Sequence, residues 1–127
     1  MNDSSLAIRV AELQAANNYL SRASRVKPRL RIILQAYADA DILAMWHLAG
    51  FRTGRKAMQK NGMSDRHWHY GRAMLQVAGV YADDWKSDNP VEIEAALRVA
   101  FERCERNPNT LLNRLPASRR LRRRVRE

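Results

Sequence analysis

Residues 62–80, with the sequence GMSDRHWHYGRAMLQVAGV, predict a sharp turn that leads into an amphipathic helix. The Asn-Gly pair at 61–62 favours the left-handed backbone of such a turn, and Ser64 is placed to cap the helix that follows. Helical spacing predicts an inward stripe of Trp68, Gly71, Leu75 and Ala78, with Met74 and Val77 at its margin. The pattern therefore predicts two short helices, about 54–61 and 64–79, that meet at a bent corner.

Gly71 stands in the middle of the second of these helices. A glycine there costs about 1 kcal/mol relative to alanine, because it loses more backbone freedom when the helix forms. The usual reason for accepting that cost is close contact with another helix. We therefore expect a neighbouring helix to pack against this position.

The whole sequence predicts an all-α protein. It has five Gly and four Pro in 127 residues, and no strand-length run in which β-branched residues alternate with polar ones. Apolar residues at helical spacing predict a first helix ending near Ser24, a central core helix from Pro28 to Gly50, and another from Pro90 to about Arg106. We expect a compact bundle of about five helices over residues 1–115, followed by an Arg-rich flexible tail at 116–127.

The formal net charge of +10 is concentrated in two zones of the chain. Residues 21–72 carry eleven Lys and Arg against three Asp, and residues 114–127 carry seven Arg against one Glu. Residues 73–113, between these zones, carry an excess of acid. This distribution predicts a polyanionic partner, and nucleic acid is favoured over a membrane surface.

The sequence predicts neither a membrane span nor a secretory signal. The longest apolar stretch, residues 42–49, contains His47 and is far shorter than the roughly 20 residues a span requires. The N-terminal residues have no basic region followed by an apolar core. The single cysteine, Cys104, cannot form an intramolecular disulfide, which is compatible with a cytoplasmic protein.

The segment 62–80 resembles the recognition-helix region of bacterial helix-turn-helix regulators, especially those of the GntR type. The shared features are a Gly-x-Ser turn, a bulky apolar residue four positions after the Ser, a small residue three later, and a Leu-x-x-x-Gly-Val ending. These positions are Gly62, Ser64, Trp68, Gly71, Leu75, Gly79 and Val80. No pair of alternating strands that could form a wing follows Val80, so the expectation is a helix-turn-helix at about 54–79 in an all-helical setting.

The resemblance implies a set of DNA-binding residues. It places Ser64, Asp65, Arg66, His69 and Tyr70 on the side that faces the groove, and Arg55, Lys56, Lys60 and Arg72 at phosphates. Arg66 can bind guanine through two hydrogen bonds, so it is the best candidate for base recognition. Further phosphate or minor-groove contacts are expected from tail residues Arg119, Arg120, Arg122, Arg123, Arg124 and Arg126.

This interpretation predicts a regulator or accessory factor that binds double-stranded DNA in preference to RNA, in a bacterial or phage-like context. Recognition of a two-fold site would need a homodimer, with the first helix as its seam. The alternative is a small basic helical subunit or inhibitor, of a phage or CRISPR-type system, that binds a nucleoprotein complex without reading sequence. A third interpretation is a helical hairpin whose charged side is only solvated. The first two differ in whether the face at 64–72 meets solvent or a protein partner.

Catalysis, a metal site and a bound cofactor are not expected. His67 and His69 are two residues apart on a helix and point about 200° away from each other, so they cannot chelate one ion from one face. The same geometry separates Asp39 from Asp41. The sequence also lacks a nucleophile with a neighbouring base and a Gly-rich phosphate loop.

Of the three tryptophans, only Trp85 is expected to be an exposed platform on which a base could stack.

Overall fold

The computed structural model describes residues 8, 9, 11–13 and 28–116. Residues 8–9 and 11–13 are helical. The remaining helices are α1 (Pro28–Leu48), α2 (Arg55–Lys60), α3 (Asp65–Ala78), α4 (Pro90–Arg106) and α5 (Asn109–Leu112). The described residues contain no β-strand, and one isolated bridge joins Tyr81 to Trp85. The predicted all-α class is confirmed, whereas residues 117–127 of the predicted tail lie outside the described part of the chain.

Helix α3 lies at the centre of the molecule and contacts all four other helices. It begins where Ser64 Oγ accepts a hydrogen bond from His67 N at 3.2 Å, and it ends at Gly79, whose φ of 75° is left-handed. Both ends agree with the predicted range of 64–79. Its buried residues are Tyr70, Gly71, Ala73, Met74, Leu75 and Val77. Met74 and Val77, predicted at the margin of the inward stripe, are therefore part of the core.

The contact between α3 and α1 is closest at Gly71. A Cβ added there would lie 2.8 Å from Leu43 Cδ1, 2.9 Å from the Asp39 carbonyl carbon and 3.0 Å from the Asp39 oxygen. The Leu43 methyl could rotate away, but the Asp39 backbone belongs to a helix with 21 residues and cannot move alone. The predicted close packing at Gly71 is confirmed, and it explains why glycine occupies the middle of this helix.

Replacing Gly71 with alanine should destabilise the protein. Overpacking of this kind costs about 1–3 kcal/mol, and the better helix propensity of alanine returns at most about 1 kcal/mol of it. We expect a net loss of about 1–2 kcal/mol in the free energy of unfolding, measured by urea denaturation. Gly54→Ala adds the same methyl group where no atom lies within 4 Å and should cost less than about 1 kcal/mol. Equal effects of the two substitutions would contradict the packing argument.

Helix α4 packs against both α1 and α3. Its start was expected at Pro90, and Asn89 caps it by accepting hydrogen bonds from Val91 N at 3.0 Å and Glu92 N at 3.3 Å. The buried residues are Ile93, Leu97, Ala100 and Cys104. This helix turns the 93/97/100/104 stripe inward, so Ala95 is exposed and Val91 is 76% exposed.

Two buried carboxylates on α1 point in different directions, as their spacing requires. Asp39 Oδ2 lies 2.9 Å from His67 Nδ1 of α3, and Asp39 Oδ1 accepts a hydrogen bond from Gln35 Nε2 at 3.1 Å. Asp41 pairs with Arg9 at 3.1 Å, and Arg9 also reaches Glu94 at 2.6 Å. Burial raises the pKa of both aspartates, against the opposing effect of His67 and Arg9. These pairs join α1 to α3, and to α4 through Arg9.

The raised pKa values of Asp39 and Asp41 predict how the free energy of unfolding changes with pH. An acid whose pKa is higher in the folded state stabilises it fully below the unfolded-state pKa, and this contribution is lost as the pH rises through the folded-state pKa. The neutral variant Asp39→Asn cannot show this loss. Its free energy of unfolding, minus that of the wild type, should therefore increase as the pH rises from about 4, the ordinary aspartate pKa, towards 7. Urea denaturation across that range measures the difference, and Asp41→Asn should change in the same direction. A difference that falls with pH would contradict the raised pKa.

Candidate nucleic-acid interface

The corner between α2 and α3 carries a dense group of exposed cations. Between residues 51 and 66 the chain has five cations and one acid. All five cations are exposed, while the acid, Asp65, is only partly exposed and forms an ion pair with Arg55. We call the five cations the corner surface: Arg52, Arg55, Lys56, Lys60 and Arg66. Its positive charge is largely unmatched by neighbouring residues in the sequence.

Local contacts hold the corner in place. Met58, in the middle of α2, is 2% exposed and anchors this short helix in the core. The chain then reverses at Gly62, whose φ of 94° is left-handed, and Met63 N donates to Met58 O at 2.9 Å. Trp68 Nε1 of α3 donates to Thr53 O, before α2, at 2.9 Å. These contacts fix the direction in which the cations point.

The predicted groove-facing residues fall into two groups. Ser64, the N-cap of α3, and Arg66, in its first turn, are exposed. Tyr70 is 3% exposed, so its predicted place on the groove-facing side is wrong. The reason is helical geometry, because position 70 shares a face with Ala73, Met74 and Val77, which pack into the core. The Tyr70 ring instead supports Arg66, whose guanidinium carbon lies 5.9 Å from the ring centre.

His69 and Arg72 make their contacts within the protein. The His69 side chain is 15% exposed and has Nε2 3.5 Å from Asp65 Oδ2. Arg72 donates to Gln76 Oε1 at 3.0 Å and to Arg114 O at 3.2 Å, and it lies over the Trp68 ring. Burial lowers the pKa of Arg72. Both side chains stabilise α3 through these contacts, so neither belongs to the candidate interface.

Beyond its first turn, α3 presents little surface to solvent. Residues 67–78 are all buried or half-buried, and both α1 and α4 pack against this helix. The expectation that the face at 64–72 projects into solvent is therefore correct only at Ser64 and Arg66. The cations before α3, at Arg55, Lys56 and Lys60, are exposed as expected.

An aromatic groove adjoins the corner surface. It lies between residues 51–57 and 81–85 and is lined by Phe51, Arg52, Lys56, Tyr81, Asp84 and Trp85, among others. Trp85 stacks on His47 with ring centres 4.1 Å apart and planes 3° apart, and its Nε1 donates to Thr53 Oγ1 at 2.9 Å. Trp85 is thus a partly buried wall of the groove and not the exposed platform that was expected.

Phe51 and Arg52 are the residues of this region that the sequence interpretation missed. Phe51 is 59% exposed and contacts Trp46 edge to face, with ring centres 5.1 Å apart. The signal available in the sequence was an aromatic residue beside an arginine in the loop between Gly50 and Gly54. Its exposure depends on how the loop leaves α1, which local spacing does not specify.

Comparison of the chain with family models, curated proteins and solved structures found no match. The resemblance of residues 62–80 to helix-turn-helix regulators therefore stays a prediction. Within the described ranges, no helix is long and apolar enough to cross a membrane, and no three His, Cys, Asp or Glu side chains are grouped as a metal site would need. The tail cations Arg119, Arg120, Arg122, Arg123, Arg124 and Arg126 lie outside those ranges, as does most of the predicted dimer seam.

Thr53 should be a sensitive position, because two tryptophans bind it. Thr53→Val keeps the shape and the backbone oxygen that accepts from Trp68, but removes the acceptor of Trp85 Nε1. We expect the free energy of unfolding to fall by about 1–3 kcal/mol, the cost of an unsatisfied polar group, with a change in tryptophan fluorescence. Thr53→Ser retains the hydroxyl and serves as the control. If Val and Ser gave the same result, the hydrogen bond would not stabilise the loop.

Proposed function

We propose that this protein binds nucleic acid, with double-stranded DNA as the preferred form, through the corner surface. The observation that carries the proposal is the exposure of all five cations at one corner, with the nearby acid Asp65 already paired to Arg55. Binding to a polyanion would release condensed counterions and would be strongly favoured at low salt. A cytoplasmic DNA-binding role as a regulator or accessory factor is consistent with this surface.

The two parts of the corner suit different contacts. Lys56 and Lys60 on α2 can reach phosphates, which fix the position of a protein on the duplex without reading sequence. Arg66 is in the first turn of α3, and helix-turn-helix proteins contact bases with the N-terminal residues of their second helix. A guanidinium there can donate to O6 and N7 of a guanine. The proposed docking is therefore end-on, with the start of α3 towards the major groove.

The burial of α3 favours a second candidate function. Within α3 only Arg66 is largely exposed, so base recognition by this helix would depend on one side chain. A basic surface of this kind also suits a small helical subunit or inhibitor that follows the backbone in a nucleoprotein complex, as in phage or CRISPR-type systems. Recognition of a two-fold site would additionally need a homodimer.

The phosphate contacts can be tested by salt dependence. The affinity for a 20-base-pair duplex, measured by fluorescence anisotropy from 50 to 200 mM salt, should fall with a slope of several charges. Lys56→Ala and Lys60→Ala should each weaken binding to all sequences and reduce the slope by about 1. Arg106→Ala removes an equally exposed cation from the end of α4 and is the control. Failure of the wild type to bind duplex DNA or RNA at low salt would refute the proposed function.

Arg66 distinguishes the two candidate functions. Arg66→Ala should relax base preference at one position, by about 1–3 kcal/mol of discrimination, if the first turn of α3 reads the major groove. Selection of bound duplexes from a random library, for wild type and variant, measures this preference. Arg66→Lys keeps the charge but not the paired donors and should lose the same preference. A wild type that selects no sequence would support the nucleoprotein-subunit function instead.

A further inference from the structure

Next to the corner surface, the aromatic groove combines features that suit an unpaired nucleotide. Its volume is about 710 Å³ and it opens to solvent. Small-molecule sites in proteins commonly enclose roughly 300–1,000 Å³. Its lining residues include Arg52 together with Arg55 and Lys56 of α2, and, from the segment after α3, Tyr81, Asp84 and Trp85.

Phe51 provides an exposed ring on a fixed support. Its backbone N donates to Trp46 O at 2.9 Å, and its ring rests on Trp46. Because Phe51 is 59% exposed, burial of its ring contributes little to the stability of the fold. Aromatic side chains among cations are the usual stacking platforms for bases of single strands.

Contacts within the protein hold Tyr81 and Trp85, which form a second wall of the groove, in place. Trp85 is held between the stacked His47 ring and the hydroxyl of Thr53, and Tyr81 packs against it edge to face at 5.4 Å. His47 is fixed in turn by Asp88 Oδ1, 2.7 Å from its Nε2. A preformed wall lowers the entropy cost of binding, since few side chains must become ordered.

The charges of the groove would orient a bound nucleotide. Asp84 is exposed and uses Oδ1 to accept from Trp85 N at 2.8 Å. Its carboxylate repels phosphate but can accept hydrogen bonds from a base amino group, whereas Arg52 and Lys56 attract phosphate. A nucleotide carries both a planar base and a negative charge, whereas an acidic peptide would need a separate aromatic side chain beside its carboxylate.

From these contacts we infer that the aromatic groove binds one unpaired nucleotide, with its base stacked on Phe51 and its phosphate at Arg52 and Lys56. The inference rests on the proposed nucleic-acid binding, because Arg52, Arg55 and Lys56 belong to both the groove and the corner surface. A base inside an intact duplex is paired and stacked, so the groove would bind only single strands, single-stranded extensions or extruded bases. The protein would then favour the junction of a duplex with a single strand.

Three probes of the same sequence test the inference by fluorescence anisotropy: a blunt 20-base-pair duplex, that duplex with a five-nucleotide single-stranded extension, and the single strand. Wild type should bind the extended duplex more tightly than the blunt one. Phe51→Ala should weaken binding to the extended duplex and the single strand by about 5- to 150-fold, the range measured for loss of one base stack. It should leave the blunt duplex within about twofold, and Phe51→Trp should retain binding to all three.

Val99→Ala is the matched control, because it shortens an exposed apolar side chain of α4, outside the groove. Circular dichroism checks that each variant is folded. If Phe51→Ala weakened all three probes equally, or none of them, the groove assignment would be overturned while the proposed function stood. If the wild type bound no probe, the proposed function would fail, and the groove assignment with it.

Discussion

At Gly71 the backbone of α3 lies against Asp39 and Leu43 of α1, where the space for a Cβ is already filled. This contact brings the two helices so close that α3 becomes the centre of the core. One turn earlier, His67 of α3 forms a hydrogen bond with the buried carboxylate of Asp39. A polar contact therefore lies next to the close packing at Gly71. Because α4 and α5 also pack against α3, the residues beyond its first turn are buried or half-buried.

The burial of α3 decides what the protein can present to a partner. A cation in the buried part of this helix would be costly without a partner, and Arg72 there is satisfied by Gln76 and the Arg114 carbonyl. Four of the five exposed cations of the corner surface therefore lie before α3, on α2 and its flanking loop. Thr53 joins that loop to Trp68 and Trp85, so the charged surface and the aromatic groove share one rigid frame.

Several features of the site could be predicted from sequence, and the reasons are local. The cap at Ser64, the exposure of Arg66 and the charge of α2 depend on residues within one or two turns. Tyr70 was misplaced because helical spacing gives a relative face and does not say how many helices will cover it. Phe51 was missed because its exposure is set by a loop whose path depends on the contact of Phe51 with Trp46 and the hydrogen bond of Thr53 with Trp85.

The sequence by itself determined the all-helical class, the starts of α3 and α4, the glycine-dependent helix contact and the position of the positive charge along the chain. Each of these follows from backbone preference, capping or charge, which act over short distances. Only the tertiary structure decided that α3 is enclosed, that Val91 is exposed, and that Phe51, Arg52 and Trp85 line one groove. The physical reason is that burial is a property of neighbours, and which neighbours meet depends on how the whole core packs.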